Sequence, residues 1–156
     1  MSKKYKDFHQ GIYKPRHPEK YKGQGSIFFR SSWELKTFQL MDNNPNVLEW
    51  TSESLALPYI NPTKQNKDGS FRTSRYFPDL TAKMRTKTGE IKNYLIEIKP
   101  KRQTVPPNPK SKRAKNKILI EQVKYAQNVA KWEAAKKWCE QNNHIFIILT
   151  EDELFK

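Results

Sequence analysis

Tyr94-Leu95-Ile96-Glu97-Ile98-Lys99-Pro100 is a short apolar run that carries an acid and a base two residues apart. As a strand it puts Ile96 and Ile98 on one side, with Leu95, Glu97 and Lys99 on the other. Burying charge among β-formers is unfavourable unless a neighbour compensates it. Upstream, Tyr76-Phe77-Pro78-Asp79-Leu80-Thr81-Ala82 is a second strand-like run with an acid of its own. Asp79 on one strand and Glu97 with Lys99 on its neighbour form an arrangement able to hold a divalent metal against a phosphate.

Working outward, the chain of 156 residues is long enough for one domain with a sizeable core. Lys and Arg number 30 against 16 acids, a formal net charge of +14. Such an excess repels itself in the compact state and seeks a polyanion, nucleic acid ahead of an anionic membrane surface. The longest apolar run, Ile145-Phe146-Ile147-Ile148-Leu149, is too short to span a bilayer, and the N-terminus lacks the apolar core of a secretion signal. The single cysteine, Cys139, excludes an internal disulfide and a cysteine-based zinc site; it reads as a buried helix residue of a cytosolic protein.

Residues 1–26 read as a basic, extended arm with little regular structure, and 27–156 as the folded domain. Tyr5, Tyr13 and Tyr21, spaced through the arm, suit anchoring on a protein surface or stacking on bases. A helix is predicted over 31–43, capped by Ser31 and Glu34, with Trp33, Phe38, Leu40 and Met41 as its apolar stripe. Strands follow at 47–53 and 55–60, a turn at Asp68-Gly69, and a hairpin of 75–85 with 91–99. From 99 to 117 the chain has eight Lys or Arg, no acid and four prolines, and predicts an extended loop to about 111. A long helix over 116–142 comes next, with Ile120, Val123, Tyr125, Ala126, Val129, Trp132 and Trp138 as core contacts, then a buried strand at 144–150 and a short acidic tail. The order predicts a mixed α/β domain, helices covering both faces of one sheet.

Glu-x-Lys occurs three times, at Glu34-Leu35-Lys36, Glu90-Ile91-Lys92 and Glu97-Ile98-Lys99, and the third alone lies inside a β-branched strand. Phosphodiester cleavage must offset charge on the phosphoryl oxygens, activate water and stabilise the leaving oxygen. Hard divalent ions do most of this and prefer carboxylate oxygens. Asp79 and Glu97 are the expected ligands, the carbonyl of Ile98 a third, and Lys99 the group that orients the water or offsets charge. Glu34 has two readings, the acid of a capping box or a further metal ligand, and pattern alone favours the cap. Gln122 and Lys124 read as phosphate contacts or as a solvated helix face, the latter favoured. His9, His17 and His144 show no metal-ligand spacing, and neither a phosphate-cradling glycine loop nor a nucleophile triad is present.

Asp79 followed by Glu97-Ile98-Lys99 resembles the signature of the PD-(D/E)xK nucleases, Pro78 included. Phe28-Phe29-Arg30-Ser31-Ser32-Trp33-Glu34-Leu35-Lys36 resembles the glutamate-bearing helix of the TnsA-type transposon endonucleases, as do Trp132, Ala134-Ala135, Trp138-Cys139 and 145–152 the end of that domain. The stretches 14–23, 29–36, 44–50 and 75–79 resemble the head completion nucleases of T-even-type tailed phages, across nearly the full length. These resemblances imply a restriction-endonuclease-like α/β fold with a central mixed sheet, and Mg²⁺-dependent DNA cleavage with Mn²⁺ as a substitute. They imply a role in head completion and head–tail joining after packaging, with portal or neck proteins as partners, in the host cytoplasm or the head–neck region of the virion. They raise Glu34 to a site residue beside Asp79, Glu97 and Lys99. One departure concerns Glu97, where TnsA-type enzymes carry glutamine, so metal affinity differs.

On this reading double-stranded DNA is held through its phosphates by the arm and by Lys101, Arg102, Lys110, Lys112, Arg113 and Lys115, with Gln122 and Lys124 on the helix behind them. No base-reading motif is visible, which predicts little sequence preference. The rival is a non-enzymatic virion protein that binds DNA or the portal and neck while retaining a nuclease fold. It accounts for the charge but not for an intact Asp, Glu and Lys set.

Overall fold

The computed structural model describes residues 10–110, 112 and 114–155. Its centre is a four-stranded sheet of β3 (Val47–Ser52), β6 (Leu80–Arg85), β7 (Ile91–Ile98) and β8 (His144–Leu149), in that order. The first three run antiparallel, while β7 and β8 are parallel. A parallel neighbour needs a crossover, and the helix Lys115–Gln141 provides it. This helix is α2; α1 is Ser32–Asn43, and a last turn of helix, α3, spans Glu151–Leu154.

The alternation read in the opening run decides which helix lies on which face. Ile96 belongs to one core with Phe38 and Met41 of α1 and with Trp50, Leu80 and Ala82. Leu95, its neighbour, belongs to the other with Trp132, Ala135 and Cys139 of α2. Both residues are fully buried, so β7 is covered on both sides. On α1 Leu40 turns outward, and on α2 Ile120 and Val123 are exposed, so the apolar stripes are narrower than the sequence suggests.

Three expectations change. The run 75–85 is two strands, not one: β5 (Phe71–Tyr76) ends before Phe77 and Pro78, and β6 begins at Leu80. Pro78 has no N–H to give a ladder. β5 therefore pairs only with β4 (Leu57–Gln65), as a separate ribbon. The chain then enters the main sheet between β3 and β7, with Asp79 at the threshold. The predicted turn at Gly69 is present, and Gly89 lies in the turn between β6 and β7; their φ of 88° and 87° favour glycine.

Residues 10–26 are not a loose arm. β1 (Gly11–Tyr13) pairs with β2 (Ile27–Phe29), a 3-10 turn covers Pro18–Lys20, and Tyr21 bridges to Trp50. Tyr13 and Tyr21 pack on Trp50 with ring centroids 6.3 and 4.7 Å away. Asp42, fully buried on α1, accepts from Tyr13 Oη (2.6 Å), Arg16 N (2.6 Å) and His17 N (2.9 Å). Burial pushes the Asp42 carboxyl up, but these bonds outweigh it and its pKa lies below the ordinary value. Residues 1–9, with Tyr5, lie outside the described residues. The third change is at 99–111, where a 3-10 turn at Lys101–Thr104 interrupts the expected loop.

Asp42→Ala leaves three donors facing a cavity, and is expected to destabilise the protein by about 3 kcal/mol. Urea unfolding measures the loss, and limited proteolysis should show cleavage within 10–22 before the rest of the chain yields.

Candidate metal and nucleic-acid site

Glu97 is buried on the α2 face of β7. Its Oε2 accepts from Tyr76 Oη at 2.9 Å and from Trp132 Nε1 at 3.3 Å. Those donors come from β5 and α2, so the separate ribbon and the crossover helix both close on this one carboxylate. Burial, and then the Glu97 charge, push the Tyr76 phenol far above its ordinary value. Asp79 sits beside Glu97, because Leu80 registers with Ile96. Its Oδ2 accepts from Ile98 N at 2.7 Å. Burial raises the Asp79 carboxyl well above the carboxylate range; a hydrogen bond with Glu97, that group's charge and the Glu34 charge add to this, and the Ile98 N–H opposes it.

A second group of acids also meets Asp79. One carboxylate oxygen each of Glu34, Glu53 and Asp79 lie within 4.8 Å of one another. Glu34 arrives on the first turn of α1, where Ser31 Oγ accepts from Glu34 N at 3.1 Å. Its own carboxylate reaches back to Arg30 N (2.9 Å), one residue before the cap, so the capping box is displaced and the acid leans toward the cluster. Burial raises the Glu34 carboxyl, the Arg30 N–H opposes this, and Glu53 raises it further.

Glu53 was not anticipated. It ends the predicted strand at 47–53, but it has left β3 with φ of 48°, an uncommon conformation for a residue with a side chain. Its N–H donates to the Asp79 carbonyl at 3.0 Å, and its Oε1 accepts from Arg30 Nη1 at 2.8 Å. That ion pair is solvent-exposed and contributes little stability. No sequence signal separates Glu53 from any other acid at a strand end.

The donors here are carboxylate oxygens, with no thiolate or imidazole among the clustered groups. A hard divalent cation suits that set. The raised pKa values of Asp79 and Glu34 point the same way, since crowded carboxylates hold protons that a cation would displace.

Two lysines approach. Lys99 follows β7 and is half-buried, its N–H bonded to Leu149 O at 3.0 Å. Lys131, on α2, was also not anticipated. Its Nζ lies over the rings of Tyr59 (5.8 Å) and Tyr76 (5.7 Å). Burial and then the Lys99 charge lower its pKa, against the pull of Glu97 and Asp79.

The expected phosphate contacts are distributed more loosely. Lys101 is engaged within the chain, Nζ to Asp152 Oδ2 at 3.0 Å. Arg102 and Lys124 line one cleft of about 550 Å³ with Gln103, Tyr125 and Asn128. Lys110, Lys112, Lys115 and Gln122 are exposed, and Arg113 lies outside the described residues.

A folded-state pKa raised above the unfolded one stabilises below the unfolded value, and that contribution is lost as pH climbs through the folded value. Asp79 should therefore weaken the metal-free protein as pH rises out of the ordinary carboxylate range. Asp79→Asn, which keeps an acceptor for Ile98 N–H, should raise the metal-free Tm at pH 8 by about 3 °C, with no gain at pH 4. Mg²⁺ should raise the wild-type Tm more at pH 8 than at pH 6 and leave the variant unmoved. Thermal melts at the three pH values test this.

A family model described as TnsA-like endonuclease N terminal matches residues 44–151. The chain is also 35% identical, over 150 residues, to the head completion nuclease of Enterobacteria phage T4, covering 94% of this chain and 93% of that one. Among the described residues, no helix is long and apolar enough to cross a membrane.

Proposed function

The chain belongs to the TnsA-like endonuclease family, and from that premise we propose that it is a divalent-cation-dependent DNA endonuclease of phage head completion. The carrying observation is the meeting of carboxylates from separate elements: Glu34 of α1, Asp79 ahead of β6 and Glu97 of β7, with Glu53 added after β3. Crowding acids this way lowers stability unless a cation neutralises them, so the cluster makes physical sense as a binding site.

Asp79, Glu34 and Glu53 would hold the ion, Mg²⁺ or Mn²⁺, with Glu97 beside Asp79. The bound ion supplies Lewis acidity at the phosphate and a lowered pKa for water. Tyr76 and Trp132 fix Glu97 in one orientation through its Oε2. The Ile98 N–H fixes Asp79, and Arg30 N–H does the same for Glu34. Lys99 orients the attacking water and offsets charge in the transition state. Arg102, Lys110, Lys112, Lys115 and Lys124 contact backbone phosphates, which makes binding fall steeply with salt. A portal or neck protein is the assembly partner, and the host cytoplasm during head assembly the place of action.

The rival reading, DNA or portal binding without cleavage, gives no reason to bring four carboxylates together. Supercoiled plasmid with Mg²⁺ tests the choice. Wild type should nick it, and Glu97→Ala and Lys99→Ala should each lose about 100-fold or more in rate. Nicking that survives in both variants would sink the site assignment. DNA binding with no nicking under Mg²⁺ or Mn²⁺ would favour the rival.

A further inference from the structure

We infer that Lys131 is a second cationic catalytic residue, whose ammonium contacts a non-bridging oxygen of the scissile phosphate opposite Lys99. The inference rests on the nuclease reading above and adds a residue that neither the Glu-x-Lys motif nor its spacing identifies.

Lys131 stands one residue before Trp132, which donates to Glu97, and its Nζ lies over Tyr76, the other donor to Glu97. The ammonium is thus brought to the site by the same residues that fix the carboxylate. It is half-buried, and among the described residues neither a hydrogen bond nor a carboxylate ion pair engages it. Two tyrosine faces hold it, at 5.7 and 5.8 Å. Cation–π contact fixes where the charge sits but uses none of its three N–H donors. A desolvated ammonium with free donors is unfavourable in a resting protein. Near enough to feel the charges of Glu97, Asp79 and Lys99, it is poised for an anion that arrives with the substrate.

Charge arithmetic favours the same conclusion. Phosphodiester cleavage builds negative charge on the phosphoryl oxygens, and the carboxylates that would hold a divalent ion offset much of its charge, which leaves part of the compensation to cationic side chains. Lys131 comes from α2, an element that supplies none of the clustered carboxylates. Preorganised charge of this kind acts mostly in the transition state, so its removal should lower turnover more than affinity.

The test compares Lys131→Met, Lys131→Gln and Lys131→Arg in the full chain. Plasmid nicking with Mg²⁺ gives kcat and KM, anisotropy of a labelled duplex in Ca²⁺ gives DNA affinity, and melts confirm folding. Met and Gln should each lose about 100-fold in kcat, with DNA affinity changed less than about threefold. Arg, which retains the charge, should recover at least about a tenth of the wild-type rate. Nicking by Met or Gln within about threefold of wild type overturns the role of Lys131 and leaves the nuclease reading standing. Equal losses in binding and rate, or an Arg variant as slow as Met, also overturn it. Wild type that leaves DNA uncut under Mg²⁺ and Mn²⁺ overturns both readings, and is distinguished because no variant then differs from it.

Discussion

The rest of the molecule is organised around the compensated burial of one carboxylate. Glu97 lies inside the sheet–helix layer, where an unpaired charge would be prohibitive. Tyr76 and Trp132 meet it, and both must be delivered from elsewhere in the chain. The β4–β5 ribbon therefore has to fold onto α2, so that Leu57, Tyr59 and Tyr76 share a core with Trp132, Ala135 and Cys139. α2 in turn has to cross the sheet to start β8 parallel to β7. A buried phenol and a buried indole each need a hydrogen-bond partner of their own. The acid and its two donors thus satisfy one another, and the two layers are held in one relative position.

That same arrangement explains what the sequence disclosed and what it concealed. The parity of 94–100 was readable because side chains alternate strictly on a strand, and it put Ile96 and Glu97 on the correct opposite faces. Asp79 beside Glu97 followed from a hairpin turn marked by Gly89. The break at Pro78 was misread because 75–85 is uniformly strand-forming, and only the missing N–H shows that pairing must change there. Residues 10–26 were misread for a different reason: their composition is polar, and the group that pins them, Asp42, is more than twenty residues distant. Glu53 was concealed by a local backbone turn into positive φ that no residue type announces. Lys131 was concealed by helix phase, since its neighbours Trp132 and Ala135 advertise a core face rather than a site.

On the proposed reading, the cluster around Asp79 would trade stability for cation affinity. Burial first, then Glu97 and Glu34, press its carboxyl toward the protonated form, and Ile98 N–H is the opposing donor. Arg30 relieves part of the crowding, through its amide on Glu34 and its guanidinium on Glu53. Because the guanidinium pair is exposed, it can open at small expense. The amide contact is different in kind. It joins Glu34 to the backbone beside the cap of α1, so its carboxylate is oriented by the helix start.

Global and local electrostatics here have opposite signs, and that opposition links substrate to cation on the proposed reading. The chain carries a net +14, which draws a polyanion toward its surface at long range. At the end of that approach stand Glu34, Glu53, Asp79 and Glu97, a local negative field that would turn a phosphate away. Screening confines that repulsion to roughly 10 Å at moderate salt, so DNA can settle on the basic surface without entering the site. Entry requires the carboxylates to be neutralised, by protons or by a divalent ion. Only the ion would also present positive charge to the phosphate. On that reading the basic surface would govern whether DNA is bound, and the acidic cluster which of its phosphates comes close enough to react.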